Sequence, residues 1–145
     1  MTQERVERRR ELWRWLLAEV RTRHPEAIFL SEAFTRPRVM ERLAKVGFDQ
    51  SYTYFTWREE AWELREWFTE LTQTDLVEYL RPNVWPNTPD ILPEHLQEGG
   101  PAMFQVRAIL AATLAASWGV YGPAFELGEH RPREQGSEEY LDSEK

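Results

Sequence analysis

The sequence predicts an α/β fold made of about four βα units, a partial (β/α)8 TIM barrel containing roughly its last four strands with their helices. Helical apolar stripes alternate along the chain with four short apolar or aromatic segments typical of strands. Such alternation indicates a parallel sheet with right-handed crossovers. The spacing between strands is uneven and the segments do not repeat one another, which disfavours a solenoid.

Residues 4–23 form the first predicted helix, because Trp13, Leu16, Leu17 and Val20 fall on one helical face. His24-Pro25 ends it, since a residue before proline avoids helical angles. The other predicted helices are 37–46, between Pro37 and Gly47, then 59–71 and 102–116, with a short turn at 75–80. The helix at 102–116 is apolar almost all round, so we expect it to be buried.

The predicted strands are residues 27–30, 50–56, 84–87 and 118–121. We expect the first to be buried on both faces, as in parallel sheets. A long loop rich in proline and glycine is expected at 89–101. Residues 1–127 are therefore predicted as half of a catalytic barrel, and 128–145 as a polar loop or tail after the last strand.

The composition limits the classes of partner. A chain of 145 residues with 13% aromatic residues is predicted to be one folded domain. Its net charge of −7 argues against a nucleic-acid partner, because such a partner requires phosphate neutralisation. The longest apolar run, 108–118, is shorter than the roughly 18 residues of a membrane span. The start of the chain lacks the apolar core of a signal peptide, so a soluble, cytoplasmic protein with no membrane partner is expected.

No residue pattern points to a metal or a cofactor. There is no cysteine, and the three histidines His24, His95 and His130 are widely spaced without a zinc-ligand pattern. We interpret His24 as an exposed helix end and His95 as a loop residue. Five aromatic residues in or beside the second and third strand segments could stack on sugar rings, but we expect most of them to belong to the core: Tyr52, Tyr54, Phe55, Trp57 and Trp85.

Two carboxylates follow strand segments and are the candidate catalytic residues. Glu32 comes after the first strand and Asp90 after the third. Strand C-termini of a βα barrel share the face that holds the chemistry, so this pair suggests acid/base work on a sugar bond. Each acid also has a simpler interpretation. Glu32 fits a loop charge or a helix cap, and Asp90 fits ordinary turn chemistry, as does the neighbouring Asn87. A nucleophile is not visible.

Four segments resemble the α-1,4-glucan:maltose-1-phosphate maltosyltransferases, a branch of the α-amylase superfamily. They are Ile-Phe-Leu-Ser-Glu-Ala-Phe-Thr-Arg-Pro at 28–37, Gln-Ser-Tyr-Thr-Tyr-Phe-Thr-Trp-Arg at 50–58, Asn-Thr-Pro-Asp-Ile at 87–91 and Gly-Ser-Glu-Glu-Tyr-Leu-Asp-Ser-Glu-Lys at 136–145. They occur in the family's order, and the resemblance runs from about residue 11 to residue 145. It covers the C-terminal half of the family's catalytic barrel.

The resemblance implies roles for three residues. Glu32 matches the general acid/base at the end of the fifth barrel strand, and Asp90 matches the transition-state-stabilising acid after the seventh. Lys145 matches a basic residue that helps bind the maltosyl phosphate donor. Pro89 stands where the wider superfamily carries histidine, which argues against a plain amylase. Position 31 is Ser where the branch commonly has Ala, and no function is attributed to it.

The family's nucleophile is an aspartate in an Arg-x-Asp-Asn context, which occurs nowhere in this sequence. We expect it upstream of Met1, which makes the chain look cut from something larger and inactive alone. The resemblance implies maltose 1-phosphate and α-1,4-glucan as substrates and a homodimeric parent. Three readings stay open: a piece of a maltosyltransferase, an α-glucan hydrolase of the same superfamily, or a non-enzymatic α/β piece that at most binds glucan.

Half a barrel would leave two strand edges unpaired, near 27–30 and 118–121, and such edges invite pairing between chains. We therefore predict that the isolated chain self-associates or expresses poorly. Size-exclusion chromatography with light scattering tests this. A sharp monomer peak together with cooperative thermal unfolding would contradict it.

Overall fold

A computed structural model describes residues 3–142, with side chains described from Glu11 onward. The helices in this part are α1 (Gln3–Arg23), α2 (Pro37–Val46), α3 (Ala61–Gln73), α4 (Leu76–Tyr79), α5 (Glu94–Leu114) and α6 (Gly122–Leu127). The strands are β1 (Leu30–Ser31), β2 (Gln50–Tyr52), β3 (Pro82–Val84) and β4 (Ser117–Trp118), and a 3₁₀ turn covers Tyr54–Trp57.

The chain divides into two compact units. The first contains the described residues up to Tyr52 together with Thr69–Arg81, and the second contains Thr53–Phe68 together with the described residues from Pro82 onward. Helix α3 contributes its beginning to the second unit and its end to the first. Each unit holds one pair of parallel strands.

In the first unit, β1 and β2 pair in parallel, with Leu30 opposite Gln50 and Ser31 opposite Ser51. The buried hydroxyl of Ser31 donates to the hydroxyl of Ser51 at 2.8 Å. A buried hydroxyl needs such a partner, so this hydrogen bond favours one register of the pair. Ser31, to which the sequence attributed no function, therefore has a structural role.

Asp49 joins α1 to both strands of the first unit. Its Oδ2 accepts from the guanidinium of Arg21 and from the backbone N–H of Phe29, each at 2.8 Å. The guanidinium of Arg21 also donates to the carbonyl of Gly47 at 2.7 Å. Gly47 ends α2 at φ 122°, a left-handed angle that favours glycine. The entry to β2 is thus held by one aspartate, one arginine and one glycine.

In the second unit, β3 and β4 pair in parallel, with Asn83 opposite Ser117 and Val84 opposite Trp118. The indole of Trp85, next along the chain, lies where a Cβ at Gly119 would come within 2.6 Å of it, so glycine is required there. One core cluster beside these strands contains Phe55, Leu64, Val84 and Ala111. A second contains Leu92, Leu96, Phe104, Ala124 and Tyr140.

A buried cation anchors the 3₁₀ turn to α5. Arg107 is 2% exposed, and its guanidinium donates to the carbonyls of Phe55 and Arg58 and lies 3.9 Å from the centroid of the Phe55 ring. Burial lowers the pKa of Arg107 to about 10, so it stays charged at neutral pH. The hydrogen bonds and the ring face compensate the desolvation of the charge.

The α/β class, the parallel pairing and the helix–strand alternation are confirmed. The helix predicted at 4–23 and the Pro37-to-Gly47 helix match α1 and α2 closely. Assembly of these strands into part of a barrel stays a prediction, and so does the division into 1–127 and 128–145.

The strand positions were predicted less well. Ile28 and Leu30 are 67% and 42% exposed, so the first strand segment is not buried on both faces. Only Leu30–Ser31 pairs, and side chains alternate across a strand, which turns Ser31 inward and Leu30 outward. The segment predicted at 50–56 stops at Tyr52, because Thr53 caps the 3₁₀ turn by accepting from the N–H of Phe55. The last two strands begin earlier than predicted, at Pro82 and Ser117.

Two helices differ from the predictions. Helix α5 begins at Glu94 and runs through the predicted loop, with a kink where Gly100 has φ 55° and Pro101 follows. It is not buried all round: Phe104, Arg107 and Ala111 face the interior, while Val106 and Ile109 are 48% and 61% exposed. Helix α6 was not predicted.

Replacing Arg107 by Met should destabilise the chain, because the carbonyls of Phe55 and Arg58 would lose their buried donor. We expect a loss of about 2–4 kcal/mol in the free energy of unfolding, measured by urea denaturation. Arg65→Met, at an exposed position of α3, is the matched control and should change it by less than about 0.5 kcal/mol. Equal stability of the two variants would contradict the anchoring role of Arg107.

Candidate active site

Glu32 directly follows β1 in the first unit, and its side chain is exposed. The residue before it, Ser31, is held by the buried hydroxyl pair with Ser51. The ring of Phe34, two residues further on, lies 6.2 Å from that of Tyr52, centroid to centroid. The carboxylate thus stands at the C-terminal end of a fixed strand, as a barrel catalytic residue would.

Asp90 lies in a tight turn after β3 in the second unit. The N–H of Thr88 donates to the carbonyl of Ile91 at 3.2 Å, and the N–H of Ile91 donates to the carbonyl of Thr88 at 3.4 Å. The hydroxyl of Thr88, fully buried, donates to Oδ1 of Asp90 at 2.7 Å. One carboxylate oxygen is therefore oriented from within the turn, while the residue remains exposed.

A buried hydrogen-bond network lies beneath this turn. The side-chain amide of Asn87, fully buried, donates to the hydroxyl of Tyr140 at 2.8 Å and to the carbonyl of Tyr121 at 3.3 Å. Its oxygen accepts from the N–H of Tyr121 at 3.1 Å. The hydroxyl of Tyr140 donates to the carbonyl of Ile91 at 3.2 Å.

Asp90 borders two cavities of the second unit. One, of about 440 Å³, is lined by Pro89, Asp90, Arg133, Glu139 and Tyr140. The guanidinium of Arg133 forms an ion pair with Glu139 at 3.0 Å. This cavity therefore places a cation and two carboxylates beside the turn.

The other cavity, of about 790 Å³, is rich in carboxylates and amides. It is lined by Asp90, Glu94, Gln97, Glu98 and residues 135–139. The side-chain amide of Gln97 donates to the carbonyls of Leu92 and Ser137 at 2.8 and 3.0 Å. The indole N–H of Trp57 donates to Oε1 of Glu138 at 2.7 Å. Hydrogen bonds from two elements thus hold the 135–139 wall.

Glu32 and Asp90 belong to different units, and their convergence on one sugar stays a prediction. Lys145 lies outside the described residues. Among the side chains of residues 11–142, no cluster of three potential metal-ligating groups is found. No helix within residues 3–142 has the length and apolar character needed to cross a membrane.

No protein-family model matches the chain. Individual curated proteins do match it. The α-1,4-glucan:maltose-1-phosphate maltosyltransferase of Chlorobaculum tepidum is 62% identical over 133 residues, which are 92% of this chain and 20% of that protein. The proteins of the same name from Mycolicibacterium smegmatis and Methylacidiphilum infernorum are 59% and 56% identical over 92% of this chain, which spans 19% and 20% of their lengths.

By sequence, the chain is a relative of the maltosyltransferases. The resemblance found in the four segments is therefore confirmed. The chain spans about one fifth of the length of the curated maltosyltransferases that it matches. The activity of those larger proteins is therefore proposed for this chain in the next subsection.

The residues that support Asp90 were not predicted from the sequence. Asn87 was interpreted as ordinary turn chemistry, and Tyr140 only as part of a polar tail. The hydrogen-bond partners of these two side chains lie 34 to 53 residues away, so no local pattern shows them. The signal that the sequence offered was Tyr140 itself, an aromatic residue in a mostly polar segment.

His95 was wrongly interpreted as a loop residue. It lies in the first turn of α5 and is 9% exposed, with Nδ1 3.2 Å from Oε1 of Glu59. Burial lowers the pKa of His95, as does the charge of Arg107, while Glu59 opposes the shift. In neutral His95 the proton belongs on Nδ1, because the carboxylate of Glu59 can only accept it. Among the five aromatic residues considered for sugar stacking, only Phe55 is fully buried, whereas Tyr52, Tyr54, Trp57 and Trp85 are half-buried.

The lowered pKa of His95 predicts how stability depends on pH. Above 6.5 the histidine is neutral in both states, and this contribution to stability is fully present. As the pH falls through 6.5 towards the lower folded-state pKa, the unfolded chain binds a proton that the folded chain resists, so stability is lost. His95→Gln should therefore show a smaller fall in melting temperature between pH 7.5 and pH 5 than the wild type.

His24→Gln is the matched control, because His24 is exposed. It should keep the wild-type dependence of melting temperature on pH. The assignment to His95 would be wrong if both variants followed the wild-type curve.

Proposed function

We propose that this chain supplies the acid/base and the transition-state-stabilising carboxylate of a retaining glycosyltransferase. The enzyme would move maltosyl units from α-maltose 1-phosphate to the non-reducing end of α-1,4-glucans. The high identity to maltosyltransferases over nearly the whole chain carries this proposal. Glu32 directly follows one parallel strand and Asp90 lies in the turn after another, and these positions support it.

The first half of the reaction is a displacement at the anomeric carbon. An aspartate from the remaining length of the maltosyltransferase forms a bond to this carbon, and the bond to the phosphate oxygen breaks. Glu32 donates its proton to the departing phosphate. The product is a maltosyl ester on the aspartate.

The second half of the reaction restores the anomeric configuration of the donor. Glu32, now a carboxylate, removes the proton from the 4-hydroxyl of the acceptor glucan, and that oxygen attacks the anomeric carbon. The ester bond breaks and the aspartate leaves as a carboxylate. The carboxylate of Asp90 accepts hydrogen bonds from ring hydroxyls, and these strengthen as positive charge develops on the ring.

The site needs residues outside this chain. We infer that the nucleophile lies in the remaining four fifths of the relatives' length and that the chain is inactive alone. The homodimeric parent, the cytoplasmic location and the contact of Lys145 with the donor belong to the same proposal.

A chimera tests the proposal. The segment of the Chlorobaculum tepidum protein that this chain matches is replaced by this chain, and phosphate release from maltose 1-phosphate is measured with glycogen present. We expect activity in the chimera. Glu32→Gln and Asp90→Asn should each reduce kcat by about 10²- to 10⁴-fold, the usual contribution of such groups.

Two variants are matched controls in the chimera. Glu26→Gln and Asp75→Asn remove carboxylates of the first unit that are also exposed, and they should leave kcat unchanged. Reducing sugar released from starch without use of maltose 1-phosphate would identify a hydrolase instead. A folded chimera without either activity would favour the non-enzymatic reading.

A further inference from the structure

The hydroxyl of Tyr140 and the amide of Asn87 lie directly beneath the turn that carries Asp90. We propose that Tyr140 and Asn87 are positioning residues that set the angle of the Asp90 carboxylate in the transition state. This inference rests on the proposed function of Asp90. Neither side chain is proposed to contact the substrate.

The carbonyl of Ile91 is the point where the network meets the turn. It accepts from the N–H of Thr88 within the turn and from the hydroxyl of Tyr140 outside it. A carbonyl oxygen has two lone pairs, and both are used here. Without the Tyr140 hydroxyl, the Ile91 carbonyl keeps the N–H of Thr88 as its donor at 3.2 Å, and the opposite backbone hydrogen bond of the turn is long at 3.4 Å.

Asn87 directs the Tyr140 hydroxyl towards that carbonyl. Both amide hydrogens and the amide oxygen of Asn87 are engaged, by Tyr140 and by the backbone of Tyr121. Because Asn87 donates to the Tyr140 oxygen, the phenolic proton is left to point at Ile91. Burial raises the pKa of Tyr140 far above its usual range, so this proton is present at every physiological pH.

Thr88 transmits the position of the turn to the carboxylate. It is fully buried, its N–H holds the Ile91 carbonyl and its hydroxyl holds Oδ1 of Asp90. A shift of the turn therefore moves the hydroxyl that orients Asp90. Hydrogen bonds that act mainly in the transition state depend on such alignment, and misplacement by about 1 Å reduces rate by up to about 10²-fold.

The test uses Tyr140→Phe, which removes the hydroxyl and keeps the ring. In the chimera we expect kcat to fall by about 10- to 100-fold with KM within about twofold of the parent, since ground-state binding is retained. In the unaltered 145-residue chain, the same substitution should speed hydrogen exchange of the Thr88 amide. The exchange of the Gly119 amide, bonded to the Val84 carbonyl in the same unit, should not change.

The matched control is Tyr79→Phe, which removes a hydroxyl bonded to Glu41 at 3.1 Å in the first unit. It should leave kcat and Thr88 exchange unchanged. Unchanged kcat and unchanged Thr88 exchange in Tyr140→Phe would overturn the positioning role. A uniform rise in exchange at Thr88 and Gly119 alike, with kcat lost only as the folded fraction is lost, would also overturn it. A folded chimera that is inactive without any substitution would reject the proposed function. The hydrogen exchange of the Thr88 amide in the 145-residue chain would still test the positioning role.

Discussion

The buried side-chain amide of Asn87 is the interaction on which the second unit's candidate site depends. It joins three segments that are far apart in sequence: the turn after β3, the start of α6 at Tyr121 and the segment at Tyr140. A fully buried amide that loses a partner costs about 1–3 kcal/mol, so Asn87 favours the arrangement in which the three segments stay in contact. Buried polar groups therefore hold the turn that carries the exposed Asp90.

The two candidate carboxylates are positioned by different means. Glu32 follows a strand whose register is favoured by the buried hydroxyls of Ser31 and Ser51, while Asp90 sits in a turn closed by Thr88 and supported by Tyr140. The first arrangement uses strand pairing, and the second uses a turn with a polar network. Both leave the carboxylate exposed while fixing the backbone beside it, which is what a group acting on a bound sugar requires.

Structural features that depend on neighbouring residues, such as helix boundaries, could be predicted from the sequence. Pro37 and Gly47 bracket α2 because each acts within one helical turn of its own position. The strand ends were harder, because Thr53 diverts the chain into a 3₁₀ turn through one side-chain hydrogen bond. The burial of His95 and Arg107 depends on partners 36 to 52 residues away, which periodicity does not reveal. The candidate catalytic pair came from strand ends and resemblance together, and its support by Asn87 and Tyr140 came only from the structure.

The account depends most on the convergence of Glu32 and Asp90 on one sugar ring. The chain contains no cysteine, so a double variant, Glu32→Cys with Asp90→Cys, provides two unique thiols. The most direct measurement is intramolecular cross-linking of these thiols in the 145-residue chain by reagents of increasing length. The account predicts efficient cross-linking by a reagent of about 10 Å or less, the upper limit for carboxyl pairs that act on one glycosidic bond. Cross-linking only by much longer reagents, in a chain that is folded, would contradict it.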